Sequence, residues 1–153
     1  MRFGWLLALC WLGAITHPLL DLQNVYAVQL LSPASERWFH SDGLFIVSPW
    51  VLAFLGIGIW RSRKRSAGRP AILALAATVL FVSANIGISA LAWRAPSIEA
   101  PYVQPDRIFA SPEPLAFWRR DLVWRADGAI TQGRFDPLVS MTRASEYGEP
   151  VAD

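Results

Sequence analysis

At 153 residues, 54% of them apolar, and with a mean hydropathy of +0.32, the chain is too apolar for an ordinary soluble domain. Fourteen Lys and Arg against twelve Asp and Glu give a formal net charge of +2, but those charges leave two gaps, residues 43–60 and 70–93. The single cysteine, Cys10, excludes an intramolecular disulfide and, lying in an apolar run, reads as a small buried hydrophobe.

The first apolar run, Phe3 to Leu20, is close to the lower limit for crossing a bilayer core, which takes about 20 apolar residues. "GAITHP" offers no A-x-A site, which argues against a cleaved signal peptide. Pro18 predicts a kink or restart of the helix at His17. His17, Asp21 and Asn24 are spaced i, i+4 and i+7, so they share a face if the helix continues. Imidazole and carboxylate are suitable ligands for zinc and similar divalent ions. Interfacial hydrogen bonding is the commoner role of such a pair.

A polar cluster follows in "SERWFHSDG", with Glu36, Arg37, His40 and Asp42. Asp42 before an apolar run suits a helix N-cap, while Arg37 could pair with an acid or an anionic ligand. His17, Asp21, His40 and Asp42 are the plausible metal-ligand types of the first half, and the expected topology puts all four on one side of the membrane.

The second span is expected over Leu44 to Trp60, bent or broken by Pro49. The loop "RSRKRSAGRP" carries five basic residues, Arg61, Arg63, Lys64, Arg65 and Arg69, and no acid. The positive-inside rule therefore makes residues 61–70 and the N-terminus cytoplasmic and the C-terminal tail periplasmic. The third span runs from Ala71 to Trp93. Its stripe of Ser83, Gly87 and Ala90 or Leu91 predicts packing against a neighbouring helix, and Asn85 predicts an interhelical hydrogen bond.

From Arg94 the prolines predict an extended linker. "DLVWRADGAITQGRF" predicts a β-hairpin turning at Asp127-Gly128, held to the rest by Trp118 and Trp124. Arg119, Arg120 and Arg125 are expected to meet headgroups or acids rather than nucleic acid, because acids outnumber basic residues in the tail. Met141 to Asp153 is expected to be disordered. The fold class expected is therefore an all-α membrane protein: a membrane domain over residues 1–93 with spans about 3–20, 44–60 and 71–93, and a small extramembrane segment over 94–153.

The segment His17 to Trp50 resembles the YdjM-like (YbcI-like) family of bacterial inner-membrane, metal-dependent hydrolases. The matching positions are His17, Leu20, Asp21, Asn24, Tyr26, Leu30, Leu31, Pro33, Ser35, Asp42, Phe45, Ile46, Val47, Pro49 and Trp50. Ser48 stands where the family pattern has aspartate, and Ala27 where it has glycine. The tail, "SPEPLAFWRRDLVWRADGAITQGRFDPL", also looks like the family's terminal segment. The family pattern places further His- and Asp-bearing motifs upstream of this region, and from Met1 to His17 this sequence has none of them, so the resemblance implies half a metal site. It further implies, through similarity to zinc-dependent phospholipases and nucleases, metal-activated water attacking a phosphodiester or related bond. On this basis His17, Asp21 and Asp42 are the expected ligands of a divalent metal such as zinc, with Asn24, Arg37 and His40 as additional site residues. No catalytic residue is assigned. The competing expectation is a non-catalytic membrane scaffold that binds a partner chain or a second copy of itself.

Overall fold

The computed structural model describes residues 3–99, 104–126 and 128–144. Helix α1 spans Phe3–Asp21, α2 Pro49–Arg65, α3 Arg69–Ala92 and the short α4 Ala95–Glu99. Strands β1 (Arg107–Pro112), β2 (Arg120–Ala126), β3 (Ala129–Asp136) and β4 (Ser140–Ala144) form one antiparallel sheet in the order β1-β2-β3-β4. The architecture is thus mixed, not all-α. The expected hairpin is present as β2–β3, with Ala126 paired to Ala129 across the turn and Gly128 at φ +78°. Asp127 lies outside the described residues. Beyond expectation, the hairpin gains a strand on each side. Part of the expected linker pairs as β1, and part of the expected disordered end pairs as β4. Residues 145–153 lie outside the described part of the chain.

Among the described residues, two helical segments are long and apolar enough to cross a membrane, Phe3–Asp21 and the Arg69–Ile98 run that joins α3 to α4. The start of the second expected helix is corrected. Residues 44–48 are not helical, and α2 begins at Pro49, in the first turn where its missing N–H costs nothing. Ser48 caps that end, its Oγ accepting from Val51 N at 3.5 Å, so Asp42 is not the cap. The apolar part of α2, Pro49 to Trp60, is about 18 Å long at about 1.5 Å per residue, and the whole helix to Arg65 about 26 Å, so crossing a hydrocarbon core of about 30 Å draws on the non-helical residues 44–48 as well.

Pro18 neither breaks nor restarts α1, which runs through it and closes with Leu22 N donating to Pro18 O at 3.0 Å. α1 buries none of its residues against the rest of the chain, and Cys10 is exposed on it rather than buried. The loop after α1 is tied down at its far end. Ser41 N donates to Leu22 O at 2.9 Å and Leu44 N to Gln23 O at 2.9 Å.

α2 and α3 pack side by side where Gly58 lets the backbones approach. A Cβ there would stand 2.3 Å from Ala74 Cβ and 3.2 Å from Pro70 O. The expected stripe of Ser83 and Gly87 plays no such part, since both are exposed and a Cβ on Gly87 would meet nothing. The buried face of α3 is instead Asn85, Ser89 and Ala92. It meets the inward positions of the sheet, and the core there consists of Ala92, Ala110, Leu122 and Trp124. The inward set of β2, Arg120, Leu122 and Trp124, alternates with exposed Asp121, Val123 and Arg125 as period-two geometry requires. An aromatic series braces the same junction. Trp50, Phe117, Phe81 and Phe54 make edge contacts at 5.7, 5.0 and 5.7 Å between centroids.

Candidate functional site

The site grows out of one buried carboxylate. Asp42, fully buried, sits at φ +51°, a left-handed conformation that Asp tolerates better than most residues. Gly43 then lets the loop press on α3, since a Cβ there would lie 2.8 Å from Ile86 Cγ1. Asp42 Oδ1 accepts from His40 Nδ1 at 2.8 Å. Asp42 Oδ2 accepts from Trp93 Nε1 at 3.0 Å and from the Ala110 amide at 2.7 Å. Its carbonyl accepts from Ser89 Oγ at 2.6 Å. One residue thereby joins the loop, the C-terminal end of α3 and β1.

Arg120 completes the network from β2. Its Nε donates to Ser89 Oγ at 2.9 Å, and Nη2 donates to both Asn85 O and Asn85 Oδ1 at 2.9 Å. Nη1 donates to Phe117 O and to Arg119 O. Asn85 Nδ2 donates to Phe81 O at 2.9 Å, so Asn85 bonds its own helix and the sheet rather than a second helix. Burial pulls the Arg120 guanidinium down to about 10, against the opposing field of Asp42. A value of about 10 still leaves it charged at neutral pH.

His40 faces a cleft of about 960 Å³ lined also by Tyr26, Glu36, Arg37, Trp93 and Arg107. Its ring makes a tilted contact with Phe109 at 4.9 Å and an edge contact with Trp93 at 5.7 Å. Nδ1 is committed to Asp42, which fixes the tautomer and leaves Nε2 as the free nitrogen. Nε2 has no hydrogen-bond partner among the described residues, and no unpartnered side-chain N or O atom is buried there, so Nε2 is reachable from the cleft. The hydrogen bond to Asp42 raises the His40 pKa above 6.5, partly offset by burial and reinforced by the Asp42 charge.

The other expected ligands lie apart from this cluster. His17 Nε2 and Asp21 Oδ2 are 3.4 Å apart on exposed turns of α1. That separation matches the edge of a tetrahedron with metal bonds of about 2.1 Å. Asn24 sits in the turn beyond, its amide donating to Asp21 O at 3.0 Å. No group of three or more His, Cys, Asp or Glu converges among the described residues. Both Asp42 oxygens are filled by N–H donors, so Asp42 does not join His17 and Asp21 in this fold. Among the described residues the donors therefore do not make the set of about three that a catalytic zinc takes.

Sequence reasoning passed over Arg120 as a buried group, and passed over Trp93 as an Asp42 donor. The β2 alternation was the available signal, because Arg120 falls in phase with Leu122 and Trp124.

Two candidate membrane helices, with no residue of α1 buried, and a small antiparallel sheet on one end of a helical hairpin define a membrane-associated protein of mixed helix and sheet. Residues 1–93 match the family model described as YdjM inner membrane protein, and the chain belongs to that family. No curated protein and no solved structure matches it. The match takes in His40, Asp42, Asn85, Ser89 and Trp93, and stops before the sheet that supplies Ala110 and Arg120.

Proposed function

We propose that the chain is a membrane-anchored hydrolase-like protein in which His40 serves as general base at the cleft, oriented by Asp42. The observation that supports this is the 2.8 Å bond from His40 Nδ1 to a carboxylate that two further donors hold still, with Nε2 open to the cleft. A carboxylate in that position sets the ring and stabilises the imidazolium formed when Nε2 takes a proton from water. Arg37 and Arg107 in the cleft wall suit an anionic ester, of the phosphodiester type that the family resemblance implies. His17 and Asp21 are two donors for a divalent ion such as zinc and would hold it only with a third. In this reading the cleft and the sheet face the periplasm and the basic loop the cytoplasm, with the bilayer as the chief partner. The membrane domain ends near residue 93 and the extramembrane domain begins at 94.

A second reading rests on a specific observation: the carbonyl oxygen and Oδ2 of Asp42 are spent on holding the loop, the end of α3 and β1 together. Under it the cluster is a structural joint, and the protein is a scaffold for another membrane chain or for its own copies. The two separate in one experiment. The full chain in detergent is assayed on bis(p-nitrophenyl) phosphate and p-nitrophenyl acetate, with zinc and with chelator. Removing a general base by His40→Gln is expected to lower turnover by about 10²–10⁴-fold with little change in melting temperature. Wild-type rates no higher than those of His40→Gln on both substrates leave the scaffold reading standing alone.

A further inference from the structure

We propose that the basic end of the α2–α3 hairpin is a binding site for an anionic, phosphate-headed phospholipid. A cavity of about 490 Å³ opens there, at the opposite end of the hairpin from Asn85, Ser89 and the sheet. Such a size is ordinary for a ligand pocket, which spans about 300–1,000 Å³. Three guanidiniums line it. Arg61 and Arg65 come from the same face of α2, one turn apart, and Arg69 comes from the first residue of α3 across the intervening turn. Phe54, Leu73 and Ala74 supply its hydrocarbon wall.

Charge identifies the occupant. No carboxylate lines the cavity, and none of the three arginines forms an ion pair among the described residues. Arg119, just before β2, and the sheet arginines Arg125 and Arg134, by contrast, each have an acid within 4 Å. Like charges one helical turn apart repel, so three converging guanidiniums call for an anion. An apolar wall continuous with them calls for an aliphatic chain on that anion. A phospholipid carries both, and basic pockets between membrane helices suit such headgroups.

The simpler account is a diffuse basic collar that orients the hairpin. Arg63 and Lys64 serve that role equally well but do not line the cavity, and Lys64 Nζ instead sits 5.4 Å over the Trp60 ring. This difference provides the test. The full chain in a zwitterionic detergent is titrated with dioleoyl phosphatidylglycerol, dioleoyl phosphatidylcholine and glycerol 3-phosphate, and bound ligand is counted by native mass spectrometry. At about 1 kcal/mol per basic residue, phosphatidylglycerol is expected to bind at least about tenfold tighter than phosphatidylcholine. Arg61→Gln with Arg65→Gln is expected to abolish that preference. Arg63→Gln with Lys64→Gln, which removes the same charge, is expected to keep it. Arg69→Gln, outside α2, gives a second reading should the first pair fail to fold, and is expected to weaken the preference severalfold. Equal losses from the two double variants, no lipid preference in the wild type, or glycerol 3-phosphate binding as tightly as the lipid would each overturn the proposal.

Discussion

Arg120 carries a full charge to a place with no solvent, and five acceptors surround it in compensation. Shortening it to alanine strands Asn85 Oδ1 and Phe117 O and removes the guanidinium that interacts with the Asp42 charge. Breaking a buried charged network from one side costs about 3–5 kcal/mol. Arg120→Ala is therefore expected to lower the melting temperature sharply in detergent, and Arg120→Lys to recover only part of the loss, because one ammonium cannot reach acceptors arranged for a planar fork. Asp42→Asn points an N–H₂ at an existing donor and is expected to cost about 1–3 kcal/mol by the same measurement. His40 adds a pH signature. Its folded pKa is raised, so its contribution to stability is complete below 6.5 and is lost as pH climbs through the higher folded value. Melting temperature followed from pH 5.5 upward should fall across that window in the wild type and stay flatter in Asp42→Asn. At this scale the sequence showed which residues carry chemistry but not what they touch. Asp42 looked like a cap or a ligand because its partners, Trp93 and Ala110, are 51 and 68 residues away.

Among the elements, α1, α3 and the β2–β3 hairpin could be read directly from apolar length and from strand alternation around a turn. The second span could not, because hydropathy continues smoothly through Ser48-Pro49 while the backbone does not. Proline sets a helix start there, and the apolar residues before it belong to a loop that packs on α3 through Gly43. The outer strands were also missed. β1 ends at Pro112, and proline-rich spacing masks a strand that needs only one neighbour. The helix contact was predicted on the wrong face, since small residues mark a close approach only where the opposing residue is also small, as Gly58 and Ala74 are. Gly58→Ala is thus expected to cost about 1–3 kcal/mol through overpacking, while Gly56→Ala, where an added Cβ meets nothing within 4 Å, should leave the melting temperature unchanged or slightly raised.

For the molecule as a whole, the basic loop and the sheet lie at opposite ends of one helical hairpin, as the proposed orientation requires. In a Cys10→Ser background, a cysteine at Thr131 should react with a membrane-impermeant maleimide added to intact cells, and a cysteine at Arg63 only after permeabilisation. The reverse pattern would invert the topology and place the cleft in the cytoplasm. The metal expectation was legible only as far as one helix could show it. His17 and Asp21 meet because α-helical spacing brings them together, whereas adding Asp42 needed a tertiary contact that the fold spends elsewhere.

The bond from Arg120 to Asn85 also has a consequence for biogenesis. Asn85 and Ser89 are made before the strand whose arginine bonds them, so the helical hairpin must wait half-finished, with wet side chains at its rim. Only when the last third of the polypeptide has been made does the guanidinium arrive and dry that seam. Completion of this protein is thereby tied to delivery of its tail, and a chain stalled before residue 120 should remain visible to membrane quality control.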